Sequence, residues 1–222
     1  MGGAAAEGAI ATVQLTQGHR RVLQPAAYFY AMRESPSVIK WRCTLCGQCC
    51  KTYVPLILAH DVMQIQKSRS SPMSTFVTFY GPTDFDGPVD KSYEPQFFQT
   101  KHGKLAMGLS RVDLPDGDVG CVFLKHNLCS IYDFRPRVCR QYPFKLLDEN
   151  IRDGPIKLMD DPCFGKHAED EVVDEAPIRE NYVRFLDLQD DYLDKVKEWN
   201  DNPESATKDI ADFLIFVSLQ WS

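Results

Sequence analysis

The sequence has no surplus of positive charge and no long apolar run. Its 25 Lys and Arg residues are outnumbered by 31 Asp and Glu, which gives a formal net charge of -6. A nucleic-acid partner is not expected, because phosphate binding requires a surplus of cations. The late apolar stretch, residues 210–221, is too short to span a bilayer and contains Asp212. The N-terminal segment lacks the basic start and sustained hydrophobic run of a secretory signal. These absences predict a cytoplasmic protein without a membrane partner.

Common catalytic motifs are also missing from the sequence. It contains no G-x-G-x-x-G or Walker loop for nucleotides, and no G-x-S-x-G or H-E-x-x-H motif for hydrolysis. Histidines are few and scattered, at His19, His60, His102, His126 and His167. Only His126, which lies between two cysteines, is kept as a candidate ligand.

Eight cysteines are present, and four of them lie in CTLCGQCC, residues 43–50. An even number permits disulfides, but disulfide scaffolds are mostly small secreted domains. A cysteine nucleophile activated by basic neighbours is a second alternative. The clustering favours metal ligation by thiolates.

The spacing of Cys43, Cys46 and Cys49 is C-x-x-C-x-x-C, as in the first three ligands of a bacterial ferredoxin cluster. Gly47 lies inside this loop, where the absence of a Cβ allows tight turning and close backbone approach. The usual fourth ligand is replaced by Cys50, which directly follows Cys49. Zinc is the alternative, because four thiolates bind Zn²⁺ tetrahedrally in any chain order. An iron–sulfur cluster, most simply 4Fe–4S, is favoured here.

The other four cysteines are isolated: Cys121, Cys129, Cys139 and Cys163. A hairpin is expected to carry Cys121 and Cys129 on its two arms. Pro136 is suited to the start of a short helix that carries Cys139. We expect these pieces to converge on residues 43–50, so that the metal also stabilises the fold. Cys43, Cys46 and Cys49 are the expected core ligands, with Cys139 or Cys163 as the fourth. Cys50, on an extended backbone, is expected to point away from Cys49 toward a second centre.

Basic residues flank the cysteines in an otherwise acidic chain. Arg135 and Arg140 lie among cysteines and aromatic residues, and cations near thiolates stabilise a cluster and tune its potential. We expect both to support the centre from outside the ligand set. An arginine buried here could instead bind a carboxylate or phosphate.

The remaining sequence is expected to form the helices and strands that support the cysteine-containing segments. A strand and then a helix capped near Asp61 are predicted for residues 54–68. A second short helix is predicted with Ser71 near its cap, Pro72 in its first turn and Gly81 after it, followed by a hairpin turning at His102-Gly103. Apolar residues at helical spacing predict two C-terminal helices separated at residues 200–203. These helices are expected to pack on the cysteine-rich unit or on each other, and a dimer surface is the next alternative. The predicted fold class is α+β: a small irregular metal-centred core of hairpins and short helices with a C-terminal helix pair. The predicted division is a flexible segment (1–20), a cysteine-cluster metal-binding domain (21–167) and a helical extension packed on it (168–222).

The cysteine-containing segments also resemble a known family. WRCTLCGQCC, then GCVFLKHNLCSIYDFRPRVCRQYPF and a final isolated PC are similar to the CxxCxxCC, or YkgJ-like, family of zinc- or iron-chelating proteins. The resemblance implies an iron–sulfur cluster or zinc held by the eight cysteines. The flagellin lysine N-methylases have a similar pattern, which implies a protein-modifying transferase as one alternative. The expected function is a metal-binding protein with an iron–sulfur cluster that serves in redox or electron transfer or as an oxidoreductase component. A metal ion and a redox or protein-substrate partner are the expected partners. The other alternative is a zinc- or iron-chelating trafficking module without catalysis.

Overall fold

The computed structural model describes residues 39–85, 91, 93–146, 154–159, 163 and 172–219. The predicted flexible segment (1–20), His19 and His167 lie outside these ranges. The α+β fold class is confirmed, because helices are combined with several small antiparallel sheets. The predicted domain boundaries stay a prediction.

A three-stranded antiparallel sheet with the order β1-β3-β2 forms the centre of the described chain. Three two-stranded ribbons surround it: β4 with β5, β6 with β7, and β8 with β9. The strands are β1 (Val77–Tyr80), β2 (Phe98–Thr100), β3 (Gly103–Leu109), β4 (Arg111–Asp113), β5 (Val119–Cys121), β6 (Leu124–Lys125), β7 (Leu128–Cys129), β8 (Phe144–Leu146) and β9 (Ile156–Leu158).

The sequence predicted one hairpin of the central sheet and missed one strand. The β2–β3 hairpin is confirmed, with its turn at Lys101-His102, one residue earlier than expected. The helix predicted between Ser71 and Gly81 is wrong: a 3₁₀ turn, Met73–Thr75, leads into β1. The β-branched and aromatic residues of β1 favour a strand. This strand pairs with β3, and Val77 lies opposite Leu109.

The cysteine-bearing hairpin also differs in its pairing. A tight turn at His126-Asn127 connects β6 and β7, and both turn residues have positive φ, 51° and 63°. Cys129 lies on β7 as expected, but Cys121 lies on β5, opposite Arg111 of β4. The two cysteines therefore belong to consecutive ribbons rather than to two arms of one hairpin.

Five α-helices occur in the described ranges: α1 (Gln48–Thr52), α2 (Ala59–Arg69), α3 (Arg137–Gln141), α4 (Glu175–Asp201) and α5 (Ile210–Phe216). The α2 prediction is confirmed, since the Asp61 carboxylate accepts a hydrogen bond from the Leu58 N–H, and Val62 and Ile65 are buried. The break between the C-terminal helices is also confirmed, because α4 ends at Asp201. Within the described ranges, none of the helices combines the length and hydrophobicity that a bilayer span requires.

The C-terminal helices pack on the same core as the cysteine-bearing ribbons. One cluster of buried residues contains Cys121 and Phe123 together with Val196 of α4 and Phe213 of α5. Phe213 stacks on Phe98 of β2 with ring centroids 3.6 Å apart. The aromatic residues of the helix pair are therefore part of the core, as expected for helices that pack on the cysteine-rich unit.

The outer edge of β2 is covered by the same C-terminal region. The Gln99 N–H donates to Asn200 Oδ1 at 2.7 Å, and its carbonyl accepts from Trp199 Nε1 at 2.7 Å. Asn200 Nδ2 donates to the Phe97 carbonyl at 2.9 Å. Side chains of α4 thus occupy the hydrogen-bonding positions that an edge strand otherwise exposes.

Candidate metal centre

All eight cysteines line one cavity of about 160 Å³. They reach it from different elements: the loop before α1 and α1 itself, strands β5 and β7, helix α3, and the segment at Cys163. None of the eight forms a disulfide. The cavity wall contains Cys43, Cys46, Cys49, Cys50, Cys121, Cys129, Cys139 and Cys163.

Three of these thiols are hydrogen-bonded to a fourth, that of Cys50. The Cys50 thiol is hydrogen-bonded to Cys121, Cys129 and Cys49, and these bonds raise its own pKa because they favour the protonated form. The same bonds are the main reason why the pKa of Cys49 falls to about 7 and that of Cys129 to about 6. The Cys121 pKa is also lowered, chiefly by Cys50. Three thiols are thereby biased toward the thiolate, the form that binds metal.

Cys139 lies close to this four-thiol group. Burial raises its pKa well above the usual value, and the neighbouring Cys121, Cys49 and Cys129 add to the effect. Among the described residues, no three His, Cys, Asp or Glu side chains stand at positions where they could hold one metal ion.

The expected orientation of Cys50 is wrong. Residues 48–52 form helix α1 instead of an extended backbone, so successive side chains are about 100° apart rather than on opposite sides. The thiols of Cys49 and Cys50 can therefore contact each other. The contacts of Cys50 group it with Cys49, Cys121 and Cys129, whereas the expected ligand group of Cys43, Cys46 and Cys49 stays a prediction.

Gly47 allows the cysteine loop to approach the β6–β7 turn. Its φ of +70° lies in the left-handed region, and its carbonyl accepts from the Cys50 N–H at 2.9 Å. A Cβ at this position would lie 2.8 Å from Leu124 Cδ1 and 2.9 Å from the Asn127 carbonyl oxygen. Both expected roles, the tight turn and the close approach, are confirmed.

Arg111 holds the end of α1 against β5, a role that sequence reasoning missed. Its guanidinium donates to the carbonyls of Cys50, Lys51, Tyr53 and Val119 at 2.5–2.9 Å. These bonds satisfy carbonyls that a helix end leaves without intrahelical partners. Burial lowers the pKa of Arg111. A lone arginine after a predicted strand carries no local signal of such contacts.

Aromatic side chains contact the outer cysteines. Trp41 Nε1 donates to Cys163 Sγ at 3.2 Å, and the Trp41 ring packs edge-on against Phe144. Tyr132 is hydrogen-bonded to Cys43, although burial is the main reason for its raised pKa.

The two predicted arginines differ in position. Arg135 stacks on the Tyr132 ring at 3.9 Å, and its charge adds to the lowering of the Cys49 and Cys129 pKa values that Cys50 causes. Arg140 donates through Nε to the Arg135 carbonyl and through Nη2 to the Asp133 carbonyl, and so it holds the turn before α3. His126, the candidate ligand, is not among the described residues that line the cavity.

A cavity lined with thiols from ribbons and short helices defines a cysteine-cluster protein. The chain belongs to the CxxCxxCC family, because the family model, described as "Putative zinc- or iron-chelating domain", matches residues 42–164. This membership supports binding of zinc or iron. The chain is also similar to an uncharacterized protein of Methanocaldococcus jannaschii, with 24% identity over 159 residues that cover 70% of this chain and 71% of the relative. No solved structure matches the chain.

Proposed function

We propose that the chain carries an iron–sulfur cluster of the 4Fe–4S type and serves in electron transfer or as an oxidoreductase component. The observation that supports this proposal is the single cavity of about 160 Å³ lined by all eight cysteines. A structural zinc site needs four ligands at about 2.3 Å and is closed around the ion. Eight thiols around an open cavity exceed that requirement and suit a polynuclear centre.

The first ligands we assign are Cys49, Cys50, Cys121 and Cys129, because the Cys50 thiol is hydrogen-bonded to the other three. Binding requires the Cys50 proton to leave, because thiolates are the ligating form. The other four cysteines of the cavity wall are available to the same centre or to a second one. When bound, an iron–sulfur cluster supplies one-electron transfer.

The protein around the thiols provides a cation and apolar contacts. Arg135 places a cation near Cys49 and Cys129, which favours their anionic forms. Buried Phe123 and Ile131 form apolar parts of the wall. An apolar surround with a nearby cation is the means by which a protein tunes cluster potential.

A second candidate is a zinc- or iron-chelating module without redox chemistry. It is favoured by the contacts of Cys50 with three other thiols, because Zn²⁺ is commonly bound by four thiolates. Among the described residues these thiols do not stand at positions that hold one ion, so zinc binding would require them to move.

Anaerobic purification followed by visible absorption and assays of iron, acid-labile sulfide and zinc distinguishes the two candidates. We expect brown protein that contains iron and sulfide. Colourless protein with stoichiometric zinc contradicts the redox proposal and supports the chelating module. Cys50→Ser should remove most of the bound metal, whereas the control Ser130→Ala, beside Cys129, should retain it. Equal metal content in both variants contradicts the ligand assignment.

A further inference from the structure

Four arginines line an open cleft of about 460 Å³ beside the cysteine cavity. Arg135, Arg137 and Arg140 come from the segment around α3, and Arg184 comes from the exposed side of α4. Two carboxylates, Asp133 and Glu180, also line the cleft, so cations exceed anions there. This local excess is notable in a chain whose net charge is -6.

In the described part of the chain, none of the four arginines forms an ion pair with a carboxylate. The Nε atoms of Arg135 and Arg137 are buried and have no hydrogen-bond partner among the described residues. Because these two atoms are not accessible from solvent, an anion in the cleft would contact the terminal Nη atoms of the arginines.

Other contacts fix three of these arginines in place before any ligand arrives. Arg140 is held by two backbone carbonyls, and Arg137 Nη1 donates to Asn181 Oδ1 of α4 at 3.3 Å. Arg135 is stacked on Tyr132. A preorganised guanidinium loses less side-chain entropy on binding and presents a planar fork that matches carboxylate and phosphate oxygens.

We propose that this cleft is a binding site for a small organic anion that it recognises through a carboxylate or phosphate group. The clustered arginines supply the charge and the donors, and the rings of Trp41 and Phe144 in the wall can contact an apolar part of the ligand. Trp41, Tyr132 and Arg135 line both the cleft and the cysteine cavity, so a bound anion lies against the wall of that cavity. The proposal goes beyond metal binding and does not depend on which metal is present.

The test titrates the full chain, as purified, with inorganic phosphate and separately with succinate at low ionic strength, using calorimetry. We expect at least one of the two anions to bind, and the preferred one identifies the recognised group. Arg137→Gln should weaken that binding about tenfold, as expected for a hydrogen bond to a charged group. Arg184→Ala should weaken it about threefold, because this side chain is exposed.

Lys195→Ala is the matched control. Lys195 is exposed three turns further along the same side of α4 and is not among the residues that line the cleft. Its removal takes away one cation and should leave anion binding unchanged. Binding of neither anion, or equal weakening by Arg184→Ala and Lys195→Ala, overturns the proposal. Metal content measured on the same samples separates loss of the anion site from loss of the metal centre.

Discussion

Replacing Gly47 by Ala tests whether the cysteine loop depends on close contact with the β6–β7 turn. Ala must adopt the φ of +70°, which costs about 1–2 kcal/mol for a residue with a Cβ. The new methyl group would also lie 2.8 Å from Leu124 Cδ1 and 2.9 Å from the Asn127 carbonyl oxygen. Overpacking of this kind costs about 1–3 kcal/mol. The expected loss of unfolding free energy is therefore about 2–5 kcal/mol.

Gly117→Ala is the matched control for this experiment. Gly117 has a similar φ of +84°, but a Cβ there would meet no atom within 4 Å. Both variants share the backbone strain and the reduced entropy of the unfolded chain, so their difference isolates the contact. Urea unfolding followed by circular dichroism should show Gly47→Ala less stable than Gly117→Ala by about 1–3 kcal/mol.

Metal content is the second measurement on the same pair of variants. Gly47 lies between Cys46 and Cys49, and displacing the turn moves the loop that carries the thiols. Gly47→Ala should bind less metal than the natural chain, and Gly117→Ala should match it. Equal stability and equal metal content in the two variants would refute the proposed contact.

Three further predictions concern other parts of the fold. Arg111→Met leaves four carbonyls without their donor and should lower the unfolding free energy by about 2–5 kcal/mol, measured in urea; an effect below 1 kcal/mol would contradict the bridging role. Phe213→Ala removes a buried stacked ring and should cost about 3–5 kcal/mol, whereas Ile215→Ala, 75% exposed, should change stability by less than about 0.5 kcal/mol. Burial raises the pKa of Asp61 in the folded protein above its value of about 3.9 in the unfolded chain. The protonated side chain therefore stabilises the fold below about pH 3.9, and this stabilisation is lost as the pH rises through the pKa of the folded protein. Unfolding measured from about pH 3 to pH 7 should therefore show the natural chain losing stability relative to Asp61→Asn, and parallel curves would count against this prediction.

Local signals in the sequence predicted much of the site. The clustering of the cysteines predicted convergence, and the structure brings all eight to one cavity. Pro136 directly precedes α3 as expected, because proline suits a helix start. Gly47 was recognised because a glycine within a ligand loop indicates an unusual φ or a close neighbour.

The wrong and missing predictions concern elements that depend on contacts between distant segments. The β1 strand depends on pairing with β3, which lies some 30 residues away and overrides the helix signals of Ser71 and Pro72. The short α1 helix is held by Arg111 from across the fold, so residues 48–52 could not be assigned from their own propensities. The grouping of Cys49 with Cys50 followed from that helix and was missed with it.

Resistance to aggregation through the β2 edge depends on α4, a segment that is far from most of the cysteines in sequence. Without Trp199 and Asn200, the N–H and carbonyl of Gln99 would be open to strands of other copies. A chain shortened before these residues should therefore self-associate through sheet extension, even with every thiol still present. Helix α4 thus protects the edge of β2 from pairing with other copies and also contributes to the core.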